Sequence, residues 1–102
     1  MRVIARRSLR EFWQRHPDAE QALKAWFAEA QSATWRKSSE VKAKFGHASI
    51  VSSDRVVFDI CGNKYRLVAS INYAVGVVFI KFIGTHDEYN KIDARTVEWK
   101  PK

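Results

Sequence analysis

The sequence predicts an α+β domain, with an N-terminal helical hairpin packed on one face of a mostly antiparallel sheet of three to five strands. Three observations lead there. Apolar residues in the first 45 positions recur at helical spacing. Those from 56 to 83 alternate or run continuously, as in strands. Gly62-Asn63 and Ala74-Val75-Gly76 then punctuate the strand-like runs as turns. The chain has 102 residues, 46% hydrophobic and 13% aromatic. That is enough for one core and one domain, expected to span 1–102, and too apolar for a disordered chain.

Arg2-Val3-Ile4-Ala5 reads as a short strand. Ser8-Leu9-Arg10-Glu11 fits a capping box, in which the hydroxyl and carboxylate satisfy free N–H groups reciprocally. Leu9, Phe12, Trp13 and His16 follow at helical spacing until Pro17, which pushes its predecessor out of the α region. Asp18 is placed to cap a second helix with Leu23, Trp26, Phe27 and Ala30 as its apolar stripe. A short third helix is expected after Ser39, with Val41 and Phe45 inward, Lys37, Lys42 and Lys44 outward, and Gly46 beyond its end.

Val56 to Cys61 is β-branched and aromatic, and Gly62-Asn63 makes a hairpin turn into Tyr65–Tyr73. Tyr65, Leu67, Ala69, Ile71 and Tyr73 share one face of that strand; Arg66, Val68, Ser70 and Asn72 share the other. Val77 to Ile83 is apolar on both sides apart from Lys81, as in a central strand ending at Gly84. Thr85 or Asp87 starts a last helical turn. One sheet face is expected to stay at least partly open and to carry Arg66.

The 18 Lys+Arg against 11 Asp+Glu give a formal charge of +7. A small basic domain attracts polyanions, which leaves RNA, DNA and anionic membrane as candidates. The single Cys61 cannot form an internal disulfide, and it reads as an inert thiol. His16, His47 and His86 show no zinc spacing, and there is no phosphate-binding or dinucleotide fingerprint. No metal and no cofactor is therefore expected. The longest apolar run, Val77–Ile80, is too short to span a membrane, and no signal peptide is evident, so a cytoplasmic setting is expected.

Arg66 is the first candidate for chemistry. A guanidinium in mid-strand can hold a phosphate bidentately; the alternative is a sheet arginine paired with Asp59 across the hairpin. His86 stands at the end of the central strand, where a general acid or base can reach a ligand, unless it only serves the turn. Tyr89 can stack on a base or donate to a phosphate, or can simply pack in the core. Lys37, Lys42, Lys44, Lys64 and Lys81 suit RNA backbone contacts or a solvated surface. His16 and His47 have no charged constellation around them in sequence and read as structural.

The blocks Gly62-Asn63-Lys64-Tyr65-Arg66-Leu67-Val68 and Val78–Asp93, the latter with Gly84-Thr85-His86-Asp87-Glu88-Tyr89, resemble the HigB branch of RelE-type toxins. Trp35 to Phe45 fits the same branch, and the similarity runs roughly from Ile4 to Asp93. The resemblance implies a RelE-like microbial ribonuclease fold and endonucleolytic cleavage of mRNA, often on the ribosome. It also implies pairing with a HigA-type helix-turn-helix antitoxin. Arg66 then corresponds to the sheet arginine that offsets charge on the scissile phosphate, His86 to the proton donor, and Tyr89 to the aromatic position after it. Asn90 stands where such chains often carry Asp, and the motif leaves the general base open among Lys42, Lys44, His47 and Lys64. The alternative function is a basic RNA- or DNA-binding module without catalysis.

Overall fold

The computed structural model describes residues 1–99. Strand β1 (Arg2–Ile4) leads into helix α1 (Arg6–Arg15), a 3₁₀ turn (Pro17–Ala19) and helix α2 (Glu20–Ser32). Helix α3 (Ser38–Lys44) follows. Strands β2 (Ser49–Ile50), β3 (Arg55–Ile60), β4 (Tyr65–Asn72) and β5 (Val77–Thr85) come next, and helix α4 (His86–Tyr89) is last. The sheet order is β1-β5-β4-β3-β2; β1 runs parallel to β5 and every other pair is antiparallel. This is the expected α+β architecture, with β4 at the centre and the longest strand, β5, beside it.

The core lies between the helices and one sheet face. Leu9 and Phe12 of α1, Leu23, Trp26 and Ala30 of α2, and Val41 of α3 meet Phe58, Tyr65, Leu67, Ala69 and Ile71. Trp26 and Phe45 both pack edge-on against Phe58. The alternation expected in β4 holds: Tyr65, Leu67, Ala69 and Ile71 point into this core. Lys81 is the additional β5 residue where the β4–β5 register shifts at Val68/Ala69, a bulge that adjusts the facing of the last part of β5.

Several local expectations give way to tertiary structure. No capping box forms at Ser8: α1 begins two residues earlier, directly after β1, with Ala5 as its cap. Ser8 is therefore inside the helix, buried, and its hydroxyl has no partner; Glu11 pairs with Arg7 instead. The capping box of this chain is at Thr85 and Glu88, where both reciprocal bonds are present. Asp18 does not cap α2, whose cap is Ala19; its carboxylate turns to β4. Helix α3 has Lys37 rather than Ser39 as its N-cap, and the Glu40 carboxylate accepts from the Arg36 N–H. The β3–β4 loop takes positive φ at Cys61 (58°) and Gly62 (72°), not at Asn63. Strand β5 continues through Gly84 to Thr85. A methyl group at Gly84 would meet the Phe82 ring at 2.5 Å, so the missing side chain is what lets that ring lie over the strand.

The second sheet face is less open than expected. Residues 93–99 cross it, and Arg55 of β3 reaches up to hold them through the Ala94 and Val97 carbonyls and Glu98. Lys81 joins the same Glu98 from β5. What stays uncovered is the end of the sheet where β4 starts, β5 finishes and α4 begins.

Candidate active site at the end of the sheet

Arg66 leaves β4 on the face opposite the helices. Its Nε is 3.3 Å from Asp59, directly across the β3–β4 ladder, and Nη1 donates to the Asn63 carbonyl at 2.7 Å. The guanidinium carbon is 5.9 Å from the centre of the Tyr89 ring. These contacts hold the group in place, and Nη2 has no hydrogen-bond partner among the described residues. The pairing with Asp59 and a fixed, ligand-ready donor thus coexist in one side chain.

Arg66 is opposite Gly84 in the ladder, two residues before His86. With strands about 4.8 Å apart and a rise of about 3.3 Å per residue, the backbones at Arg66 and His86 are roughly 8 Å apart. Helix α4 carries His86, exposed, and Tyr89, half-buried, one turn apart. The Thr85–Glu88 capping box fixes the start of that turn, with the Glu88 carboxylate accepting from the Thr85 N–H at 2.8 Å. That N–H is the main reason the Glu88 carboxyl titrates below its usual value of 4.5.

On the helical side, a cleft of about 450 Å³ is lined by His16, Lys64, Tyr65, Thr85, His86 and Asp87. Asp18 holds two of these residues: its carboxylate accepts from the Tyr65 hydroxyl at 2.6 Å and pairs with Lys64. Lys64, then Tyr65, pull the Asp18 carboxyl below 3.8, while Asp18 pushes the Lys64 and Tyr65 groups up. A depressed carboxyl contributes stability above its unfolded value and loses it as pH falls through the folded one. Asp18→Asn is therefore expected to lower the urea midpoint by a constant amount above pH 5. That deficit should shrink below about pH 3.8. A deficit independent of pH would show that Asp18 acts by packing alone.

The other lysines picked from the sequence are elsewhere. Lys42 donates to the Ala48 carbonyl and Lys44 pairs with Glu29 of α2, both on α3 beside β2. Lys37 is exposed at the start of that helix, and His47 is exposed just after it. None of these lines the cleft; Lys64 does. A larger cleft, about 560 Å³, lies between β5 and the C-terminal segment, and its Lys81 and Glu98 satisfy each other. Among the described residues no three of His, Cys, Asp and Glu form a metal-ligand group, and no helix is long and apolar enough to cross a membrane.

Two placements escaped the sequence reading. His16 is distant in sequence from His86, and only the packing of α1 on β4 brings them to one cleft. Arg55 lacked any motif; the only hint was a charge at the start of a largely apolar strand.

Helices packed on one face of a five-stranded mixed sheet, in a small basic domain, match the architecture of the RelE-like toxins. A family model described as HigB_toxin, the RelE-like toxic component of a toxin–antitoxin system, matches residues 19–92, and the chain belongs to that family. No curated protein matches the chain. As a toxic component it has an antitoxin as partner.

Proposed function

We propose that this chain is an endoribonuclease that cleaves mRNA by attack of the substrate's own 2′-hydroxyl, acting in the cytoplasm and on ribosome-bound message. The observation that carries this reading is the single turn of α4, which sets His86 and Tyr89 beside the strand end where Arg66 is held by Asp59 and Asn63. In this reading the message crosses the end of the sheet with Tyr89 against a base. Arg66 meets the scissile phosphate through its free Nη2 and offsets the charge that grows there. His86, as imidazolium, protonates the departing 5′ oxygen. Lys64 attracts the backbone within the cleft; Lys37, Lys42 and Lys44 extend the positive field along α3. Proton transfer and charge offset both come from side chains, so the reaction needs neither a metal nor a cofactor. The whole of 1–102 serves as one toxin domain, neutralised by a HigA-type helix-turn-helix antitoxin.

The test is a defined RNA with one 2′-deoxy residue on the 5′ side of the cut, with EDTA present and with and without ribosomes. The all-RNA substrate is expected to yield a 2′,3′-cyclic phosphate and a 5′-hydroxyl, and the deoxy substrate to stay intact. Equal cutting of both would sink the mechanism. The Arg66–Asp59 ion pair is the one feature favouring a non-catalytic RNA-binding module instead. Binding without cleavage, with and without ribosomes, would select that alternative.

A further inference from the structure

We infer that His16, at the C-terminal end of α1, is the second proton-transfer group of the site: the base that takes the 2′-hydroxyl proton while His86 supplies the proton to the leaving oxygen. The inference rests on the ribonuclease reading above and fills the role that the sequence leaves open. His16 precedes the span matched by the family model.

Three observations support it. First, His16 and His86 line the same cleft, one from the end of α1 and the other from α4, together with Lys64. Second, the His16 ring is positioned by its faces. It stacks on Phe12 at 4.5 Å and 25°, and tilts against Tyr65 at 5.3 Å. Its backbone is fixed as well: Pro17 keeps it out of the helical region, at φ −129° and ψ 76°, while its N–H still donates to Phe12. Third, neither imidazole makes a side-chain hydrogen bond to any other described residue, although each stands among polar groups. Each imidazole nitrogen can donate or accept a hydrogen bond. Here packing holds the ring and both nitrogens remain available.

The charged and titratable groups around the pair come from every neighbouring element. They are Arg15 of α1, Asp18 of the 3₁₀ turn, Lys64 and Tyr65 of the β3–β4 hairpin, and Asp87 and Glu88 of α4. Asp18 is already committed to Lys64 and Tyr65, and Glu88 to the Thr85 cap, so neither competes for the role of base. Lys64, paired with Asp18 and held above its usual value, remains protonated and cannot accept a proton near neutrality.

The step balances without any co-reactant. Neutral His16 removes the proton from the 2′-hydroxyl, the O2′–P bond forms, and the P–O5′ bond breaks. The His86 imidazolium gives its proton to O5′. His16 ends protonated and His86 neutral, and exchange with solvent restores both. A base that must be neutral and an acid that must be protonated together give a bell-shaped rate profile.

His16→Phe is the test variant, because it keeps an aromatic ring on Phe12 and Tyr65 while removing proton transfer. It is expected to lower kcat/KM for RNA cleavage about 100-fold, with an unchanged melting temperature, and to lose the acid limb of the profile. His86→Asn should instead lose the alkaline limb. Independently, titration of wild-type protein with uridine 3′-monophosphate should shift the His16 and His86 imidazole resonances along one saturation curve. His16→Phe cleaving like wild type, or nucleotide shifting His86 alone, overturns the inference and leaves the ribonuclease reading standing. Wild-type protein that cuts no RNA, with or without ribosomes, overturns both.

Discussion

His86→Ala is expected to lower RNA cleavage by about 10³-fold, with the fold intact. The side chain is exposed, buries nothing, and makes no hydrogen bond to a described residue, so its removal leaves no cavity and no orphaned partner. The α4 turn is fixed by Thr85 and Glu88, not by the imidazole. Loss of activity would therefore report chemistry rather than unfolding. Arg66 needs a different design, because Arg66→Ala also leaves the half-buried Asp59 without its cation. Arg66→Lys retains a charge beside Asp59 but cannot hold Asn63, Asp59 and a phosphate at once, since it lacks the planar fork. Arg66→Lys is expected to cost about 10²-fold in kcat with a melting temperature near that of wild type. Toxicity on expression without the antitoxin gives a second readout: both variants should permit growth. Full cleavage by folded His86→Ala would remove the proton donor from the mechanism.

The parts of this molecule that were legible from sequence are those where local chemistry and tertiary packing agree. Strand β4 is the clearest. Its alternation puts Tyr65, Leu67, Ala69 and Ile71 in the core and Arg66 on the other face, because a two-residue period has only one way to bury that set. Pro17 likewise ends α1 whatever surrounds it. The capping pattern at Ser8 failed for a physical reason. The pairing of β1 with β5 sets where the chain leaves the sheet, and α1 starts at once, which moves Ser8 inward. The same four-residue pattern at Thr85 succeeded, because β5 ends there and nothing upstream competes.

The site was half legible on the same grounds. Arg66, His86 and Tyr89 are encoded within 24 residues on one hairpin and its following turn, so strand register alone brings them near each other. His16 comes to that end only through the packing of Phe12 against Tyr65, a contact between residues 53 positions apart that no local pattern encodes. Asp18 shows how one substitution of partners propagates. Freed from capping α2, it ties the 3₁₀ turn to Lys64 and Tyr65 at the start of β4.

Arg55 decides how much of the outer face stays closed. Its side chain is 8% exposed, with Nη1 donating to Val97 at 2.7 Å and Ala94 at 3.3 Å, and Nη2 to Glu98 at 2.7 Å. Residues 93–99 have no ladder of their own; bonds to the Asp93 carbonyl from Thr96 and Val97, and to the Asp93 carboxylate from the Arg95 N–H, are their local order. Arg55→Met keeps the aliphatic stem and removes all three donated bonds, leaving two carbonyls without partners. The expected loss of stability is about 2–4 kcal/mol, read as a lower urea midpoint. Glu98→Gln should cost less, since that carboxylate is more than half exposed. Lys81, then Arg55, hold the Glu98 carboxyl below its usual 4.5. Its contribution is therefore present above that value and fades as pH falls through the folded one. If the segment is a cover, Arg55→Met should also speed trypsin cleavage after the exposed Arg95 well before global unfolding. It should leave the His86 end of the site unaltered, because Arg55 and Arg66 stand at opposite ends of the β3–β4 ladder. A variant with wild-type midpoint and wild-type proteolysis would mean that the Lys81–Glu98 pair, the Arg95–Val51 bond and apolar packing hold the segment without Arg55.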